Sequence, residues 1–174
     1  MSENETLPDP RDTALSLAHH SGRSEDVRLL TGSGRFCGNR QPAGTVHAVI
    51  VRAPFAAADI KSINVDDARS LPGVLGVFTA DDINRAELGQ LRCAVTMPGQ
   101  RDITRPILAE GSVRHVGEIV AMVVAETVEA AKDGVEAVFV DYVTKQSVVS
   151  TLDAIQNVER TVHPETPETT AYEW

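Results

Sequence analysis

The stretch from residue 119 to residue 143 constrains the fold more than any other. IVAMVVAE (119–126) is an unbroken apolar run closed by an acid, the length of a buried strand. Thr127 follows as a helix N-cap, and Val128, Ala131 and Val135 recur on one face of a helix over 128–137. FVDYV (139–143) returns to strand. A strand–helix–strand unit of this length ordinarily makes a right-handed parallel crossover, so a parallel pair is expected here.

Upstream, TVHAVIVR (45–52) is a second near-continuous apolar run. Ala53-Pro54 ends it, since proline cannot donate to a ladder. Ile60, Ile63 and Val65 mark a strand over 58–65, and Asp66 is placed as the cap of a short helix, DDARSL. Pro72-Gly73 stops that helix. VLGVFT (74–79) is another strand, with Thr79 or Asp81 as a further cap. Residues 84–106 have no period, contain Gly89, Pro98, Gly99 and Pro106, and read as a long loop. Aromatics are only 4% of the chain, so the core must come from Val, Ile, Leu and Ala; frequent Val favours sheet. The fold class is α/β of mixed α+β character, a small mixed sheet with short helices.

The 174 residues suit one domain with tails. Residues 1–26 are polar and aperiodic, and read as an N-terminal tail. The folded domain is expected over 27–155. Residues 156–174 form an acidic, proline-broken arm that carries Tyr172 and Trp174, amphipathic aromatics suited to docking.

A net charge of −9, with no Lys/Arg run, argues against nucleic-acid binding. The longest apolar stretch, 119–125, is far short of the ~20 residues of a membrane span. The first residues lack a basic region followed by an apolar one, so the cytoplasm is the expected compartment. Cys37 and Cys93 are isolated, which suits a reducing environment.

Candidate chemistry is sparse. Gly32, Gly34 and Gly38 lie in GSGRFCG, but the third glycine comes one residue late for a dinucleotide loop and no lysine follows; a glycine-rich turn is the better reading. The five histidines (His19, His20, His47, His115 and His163) show no metal-ligand spacing. His115 and Glu118 in HVGE are either an acid/base pair or a turn contact, the latter favoured. Asp66-Asp67 and Asp81-Asp82 are explained by helix capping. Arg35 and Arg40 flank Cys37 and would favour its thiolate, although an inert thiol is the expectation. From the residues alone this is a soluble α/β domain without an active site.

Several segments in order resemble the large subunits of molybdenum hydroxylases, the family of aerobic carbon monoxide dehydrogenase, xanthine dehydrogenase and aldehyde oxidase. They are EDVRLLTGSGRF (25–36), GTVHAVIVRAPFAAADI (44–60), LPGVLGVFTADDI (71–83), VRHVGEIVAMVVAET (113–127), VDYV (140–143) and VHPETP (162–167). The chain departs from the family pattern at Phe55 and Ala57, where histidines are usual, and at Ile119, where V-G-E is usually followed by proline.

The resemblance implies an α/β-hammerhead domain, with the molybdenum-pterin site and the catalytic glutamate in the segment beyond it. It carries over no catalytic, cofactor-binding or metal residue, but a structural and interface set: Gly34, Arg52, Pro72, Gly73, Gly117, Glu118, Tyr172 and Trp174. Since the sequence stops at Trp174, a non-catalytic hammerhead subunit is expected, packed on a separate molybdenum-binding subunit. Molybdopterin, 2Fe–2S and FAD are then expected on partner subunits, with iron–sulfur and flavin subunits among the partners or the chain self-associating. The alternative is a stand-alone binding or regulatory module that keeps the fold without redox function.

Overall fold

The computed structural model describes residues 23–156, 161–163 and 170–172. Its contacts fall into two units, Met1–Gly44 and Thr45–Trp174. Within the first, α1 (Asp26–Leu30) has no buried residue. It ends where the Ser33 and Gly32 amides bond back to the carbonyls of Arg28 and Leu29, the paired bonds that close a helix at a glycine. GSGRFCG is therefore a helix exit followed by a 3₁₀ turn at Cys37–Asn39, as its turn reading anticipated.

The second unit holds β1 (His47–Arg52), β2 (Ala58–Asn64), α2 (Asp66–Ser70), β3 (Val74–Phe78), α3 (Ala80–Arg85), β4 (Gln90–Leu91), β5 (Arg105–Pro106), β6 (Ser112–Val113), β7 (Ile119–Ala125), α4 (Val128–Glu136), β8 (Phe139–Thr144) and α5 (Thr151–Gln156). One sheet runs β1-β7-β3, a second β6-β2-β8, and β4 pairs β5. Every ladder among the described residues is antiparallel.

β7 is the central strand of the first sheet. His47 faces Ala125 and Val51 faces Ala121 on one side, while Val77 faces Val123 on the other. Its alternation feeds two cores. Ala121 and Val123 pack with Val51, Val65, Ala68 and Val77. Val120 packs with Ala53, Ala58, Ala109 and Val113. Ile63 of β2 touches both clusters. As expected from so few aromatics, the buried set is almost wholly Val and Ala.

The helix after β7 is capped as read, the Thr127 side chain accepting the Ala130 N–H at 3.1 Å. The expected parallel crossover does not form. Both edges of β7 are taken by β1 and β3, so β8 cannot join it and pairs with β2 in the other sheet. α4 therefore links two sheets instead of crossing one. At α2 the cap also differs. The N-cap is Val65, and the side-chain oxygen of Asn64 takes the Asp66 N–H at 3.0 Å; Asp66 is the first helical residue. The expected loop over 84–106 contains a ladder of two pairs, Gln90 with Pro106 and Leu91 with Arg105. A ladder that short leaves no alternation to read.

α4 lies against β1 and β7 with Ala131 and Gly134 buried. A Cβ at Gly134 would sit 2.7 Å from Val123 Cγ1 and 3.2 Å from Val74 Cγ2. Gly134→Ala gains about 1 kcal/mol of helix propensity but overpacks the core by roughly 1–3 kcal/mol. The expected outcome is a lower denaturation midpoint, and a raised midpoint would show that Val123 can yield. Val123 is fully buried, so Val123→Asp places a carboxylate among methyl groups. The cost of several kcal/mol approaches a typical total stability of ~5–15 kcal/mol. Loss of cooperative unfolding by circular dichroism is expected, and a mutant melting like the parent would refute the strand's placement.

Candidate functional site

Five of the residues singled out in the sequence, Arg52, Pro72, Gly73, Gly117 and Glu118, gather at the two ends of β7. At its start, Arg52 Nη1 donates to the Gly117 carbonyl at 2.9 Å, joining the end of β1 to the turn before β7. Gly117 N–H donates to Ala53 O at 2.8 Å, and Ala53 N–H to Glu118 O at 2.9 Å. Gly117 has φ 85°, the left-handed region where a side chain is strained. The Glu118 carboxylate accepts the Arg114 backbone N–H, with Arg114 Nη1 4.0 Å and His115 Nδ1 3.7 Å away. Its side chain is only 13% exposed, against 61% for His115. The carboxylate thus folds its own turn, and the pair is a turn contact rather than an acid/base dyad.

At the far end, Pro72 and Gly73 are central in a tight turn closed by Val74 N–H to Leu71 O at 3.2 Å. Gly73 has φ 80° and accepts the Glu126 N–H at 2.9 Å, which ties the turn to the end of β7. Gly34 lies in the first unit, where a Cβ would meet Leu29 Cδ2 at 2.6 Å. These contacts fix the positions of chain segments.

A cavity of about 520 Å³ lies along β2, α2 and α3 and includes Lys61, Asp66, Arg69, Asp82, Arg85 and Glu110 in its lining. Asp82 organises it. Its Oδ2 accepts the Thr79 backbone N–H at 2.9 Å and the Thr79 hydroxyl at 3.3 Å, while Arg85 Nη1 lies 3.0 Å from Oδ1 and Arg69 Nη2 4.0 Å from Oδ2. The Thr79 backbone bond, with smaller help from the Thr79 hydroxyl and Arg85, holds the Asp82 carboxyl below its ordinary 3.8 against the opposing effect of burial. Arg69 also donates to Val77 O at 3.0 Å, so it braces α2 against β3. The sequence showed Asp82 as a capping acid, but the convergence of Arg69 on it across another element had no local signal.

A second cavity, about 330 Å³, is bounded by Ala56, Ala57, Val113, Arg114, Lys145 and Val162 among others. Lys145 Nζ lies 2.6 Å from Asp59 Oδ1. Thr161 and Val162, part of the C-terminal arm, form one wall. Further along the arm, Ala171 O accepts the Arg101 N–H at 3.0 Å, and Tyr172 is half-buried rather than fully exposed. Trp174 lies outside the described residues.

Among the described residues no three His, Cys, Asp or Glu side chains come together as a metal site. Cys37 and Cys93 are exposed free thiols, and Cys93 Sγ donates to Val95 O. Tyr142, half-buried and edge-on to Phe55 with ring centroids 5.3 Å apart, has its phenol pushed above the ordinary 10.0 by burial. No helix among the described residues is long and apolar enough to cross a membrane.

A family model described as the aldehyde oxidase and xanthine dehydrogenase a/b hammerhead domain matches residues 31–146. The nicotine 6-hydroxylase large subunit of Paenarthrobacter nicotinovorans is 38% identical over 134 residues, 77% of this chain and 16% of that protein. The carbon monoxide dehydrogenase large chain of Hydrogenophaga pseudoflava is 33% identical over 156 residues, covering 88% of this chain and 19% of that one. Among solved structures, quinoline 2-oxidoreductase from Pseudomonas putida 86 superposes with a TM-score of 0.69 at 40% identity, over 77% of this chain and 17% of that one. Aldehyde oxidoreductase from Desulfovibrio desulfuricans superposes with a TM-score of 0.71 at 29% identity, over 83% of this chain and 16% of that one. The chain therefore spans less than a fifth of the length of these relatives.

The Asp82 network generates an acid-range prediction. Because folding lowers this pKa, its contribution is present above the unfolded value of 3.8 and is lost as pH falls through the folded one. Denaturant midpoints measured from pH 6 downward should fall across that window in the parent, with Asp82→Asn lacking this component. Superimposable pH profiles for the two proteins would show that Asp82 is not held below its ordinary range.

Proposed function

The chain belongs to the aldehyde oxidase and xanthine dehydrogenase hammerhead family, and from that membership we propose that it is the non-catalytic hammerhead part of a molybdenum-dependent oxidoreductase. In this reading it packs against a molybdenum-binding polypeptide, supplying surface rather than reacting groups. The observation that carries the proposal is the family match over residues 31–146, in a chain whose relatives include a xanthine dehydrogenase molybdenum-binding subunit. The described residues do not fit a molybdenum-pterin group: the well-buried carboxylate Glu118 is held by its own turn, and Asp82 by Thr79 and two arginines. No catalytic step is assigned to this chain, and molybdopterin, 2Fe–2S and FAD are proposed to reside on other polypeptide.

The names of the relatives support a small carbonyl, carbon monoxide-like or heterocyclic substrate for the assembled enzyme. The two free thiols fit the cytoplasm as its proposed compartment. One observation favours the alternative of a stand-alone module. Phe55 stands where the family carries a histidine, and here its ring packs on Tyr142 inside the chain.

Purification of the chain from its own host through an epitope at its chromosomal locus separates the two readings. A stable complex containing a second polypeptide and stoichiometric molybdenum is expected. Recovery of the chain in complexes without molybdenum, or alone, overturns the subunit proposal and leaves the module.

A further inference from the structure

The β4–β5 hairpin carries an unusual combination of charge and exposure. From Gln90 to Pro106 the hairpin holds Arg92, Arg101 and Arg105 but only one acid, Asp102, in a chain whose 25 acids outnumber its 16 bases. Within the same segment three large apolar side chains face outward: Leu91 is 47% exposed, Val95 76% and Met97 54%. Polar bonds shape this arm. Thr104 bonds to the Gln90 side chain, Arg92 Nη1 lies 3.4 Å from Asp102 Oδ2, and Met97 N–H donates to Gln100 Oε1 at 3.0 Å. The hairpin thus presents apolar tips beside cations.

The complementary surface lies on the same chain. α4 turns Ala131 and Gly134 inward, and its outer face carries Glu129, Asp133 and Glu136 at i, i+4 and i+7, with Lys132 the one base in the helix. All three acids are exposed. Phe139, three residues beyond Glu136, is 67% exposed and gives this acidic stripe an apolar neighbour.

We infer that the β4–β5 hairpin of one chain docks on the α4 face of a second copy, its arginines meeting the acidic stripe and its apolar tips covering neighbouring apolar surface. Charge complementarity identifies the occupant: a basic, apolar-tipped arm and an acidic helix face are carried by one polypeptide. Each chain carries both patches, so two copies that exchange hairpins reciprocally close a two-fold pair, and a one-way contact builds a ring or an extending series. The inference does not depend on the family reading, because it concerns copies of this chain alone.

Sedimentation velocity of the full chain over a concentration series tests it. At low salt the weight-average mass should rise above the 18.7 kDa of one chain as concentration increases, and fall back at high salt, since exposed ion pairs are screened. Arg92→Glu with Arg105→Glu, and separately Glu129→Arg with Asp133→Arg, should each sediment as a single chain, and an equimolar mixture of the two variants should associate again. A parent that stays at single-chain mass at every concentration overturns the inference. So do variants that associate as the parent does, or a mixture that fails to recover. If a charge variant fails to fold by circular dichroism, the concentration and salt dependence of the parent decides alone.

Discussion

β7 is hydrogen-bonded along both edges, buried along the face of Ala121, Val123 and Ala125 and half-buried along the other beyond Val120, and the rest of the second unit is arranged by that fact. A strand with β1 on one side and β3 on the other has no ladder position left to offer. β8, which follows it through α4, must find another edge and takes β2. The chain therefore builds two three-stranded sheets, and Val120 serves one core while Ala121 and Val123 serve the other. Alternation along a single strand couples the two clusters. A change of register in β7 would turn each residue to the wrong core.

The small side chains follow from this arrangement. A helix that must lie close to a strand needs little bulk at the contact, and α4 supplies Ala131 and Gly134 where Val123 and Val74 crowd it. The ends of β7 are fixed with similar economy of space, by a glycine of positive φ at each. Gly117 allows the turn that Arg52 braces, and Gly73 allows the turn that accepts the Glu126 amide. A residue with a Cβ would be strained at either place whatever space surrounds it.

Local chemistry was legible in the sequence. The Thr127 cap, the Pro72-Gly73 stop and the buried run of β7 each depend on neighbours within a few residues, and each is found where it was read. Pairing was not legible. The sheet that receives β8 depends on which edges other strands have already filled, and no residue in FVDYV records that. Asp66 was misplaced as a cap because Asn64, two residues earlier, offers its side-chain oxygen to the same amide. The hairpin within 84–106 escaped because two ladder pairs leave no period. At the candidate site, Glu118 could be singled out, but its assignment as a turn former rather than an acid required its bond to the Arg114 amide.

How the chain uses its polar groups bears on what it does. A catalytic carboxylate or histidine is ordinarily held by surroundings that leave a reactive atom facing substrate. Here the best-organised carboxylates point the other way: Glu118 closes the turn before β7, and Asp82 gathers Thr79, Arg85 and Arg69 to hold α2, α3 and β3 together. Several exposed apolar side chains lie instead on short peripheral elements, among them Leu152 and Ile155 of α5 and Val95 of the hairpin arm, and none of these three belongs to either core cluster. Charge used for internal bracing and apolar surface left outside support the packing role proposed above, since free energy of association must come from surface that folding does not bury.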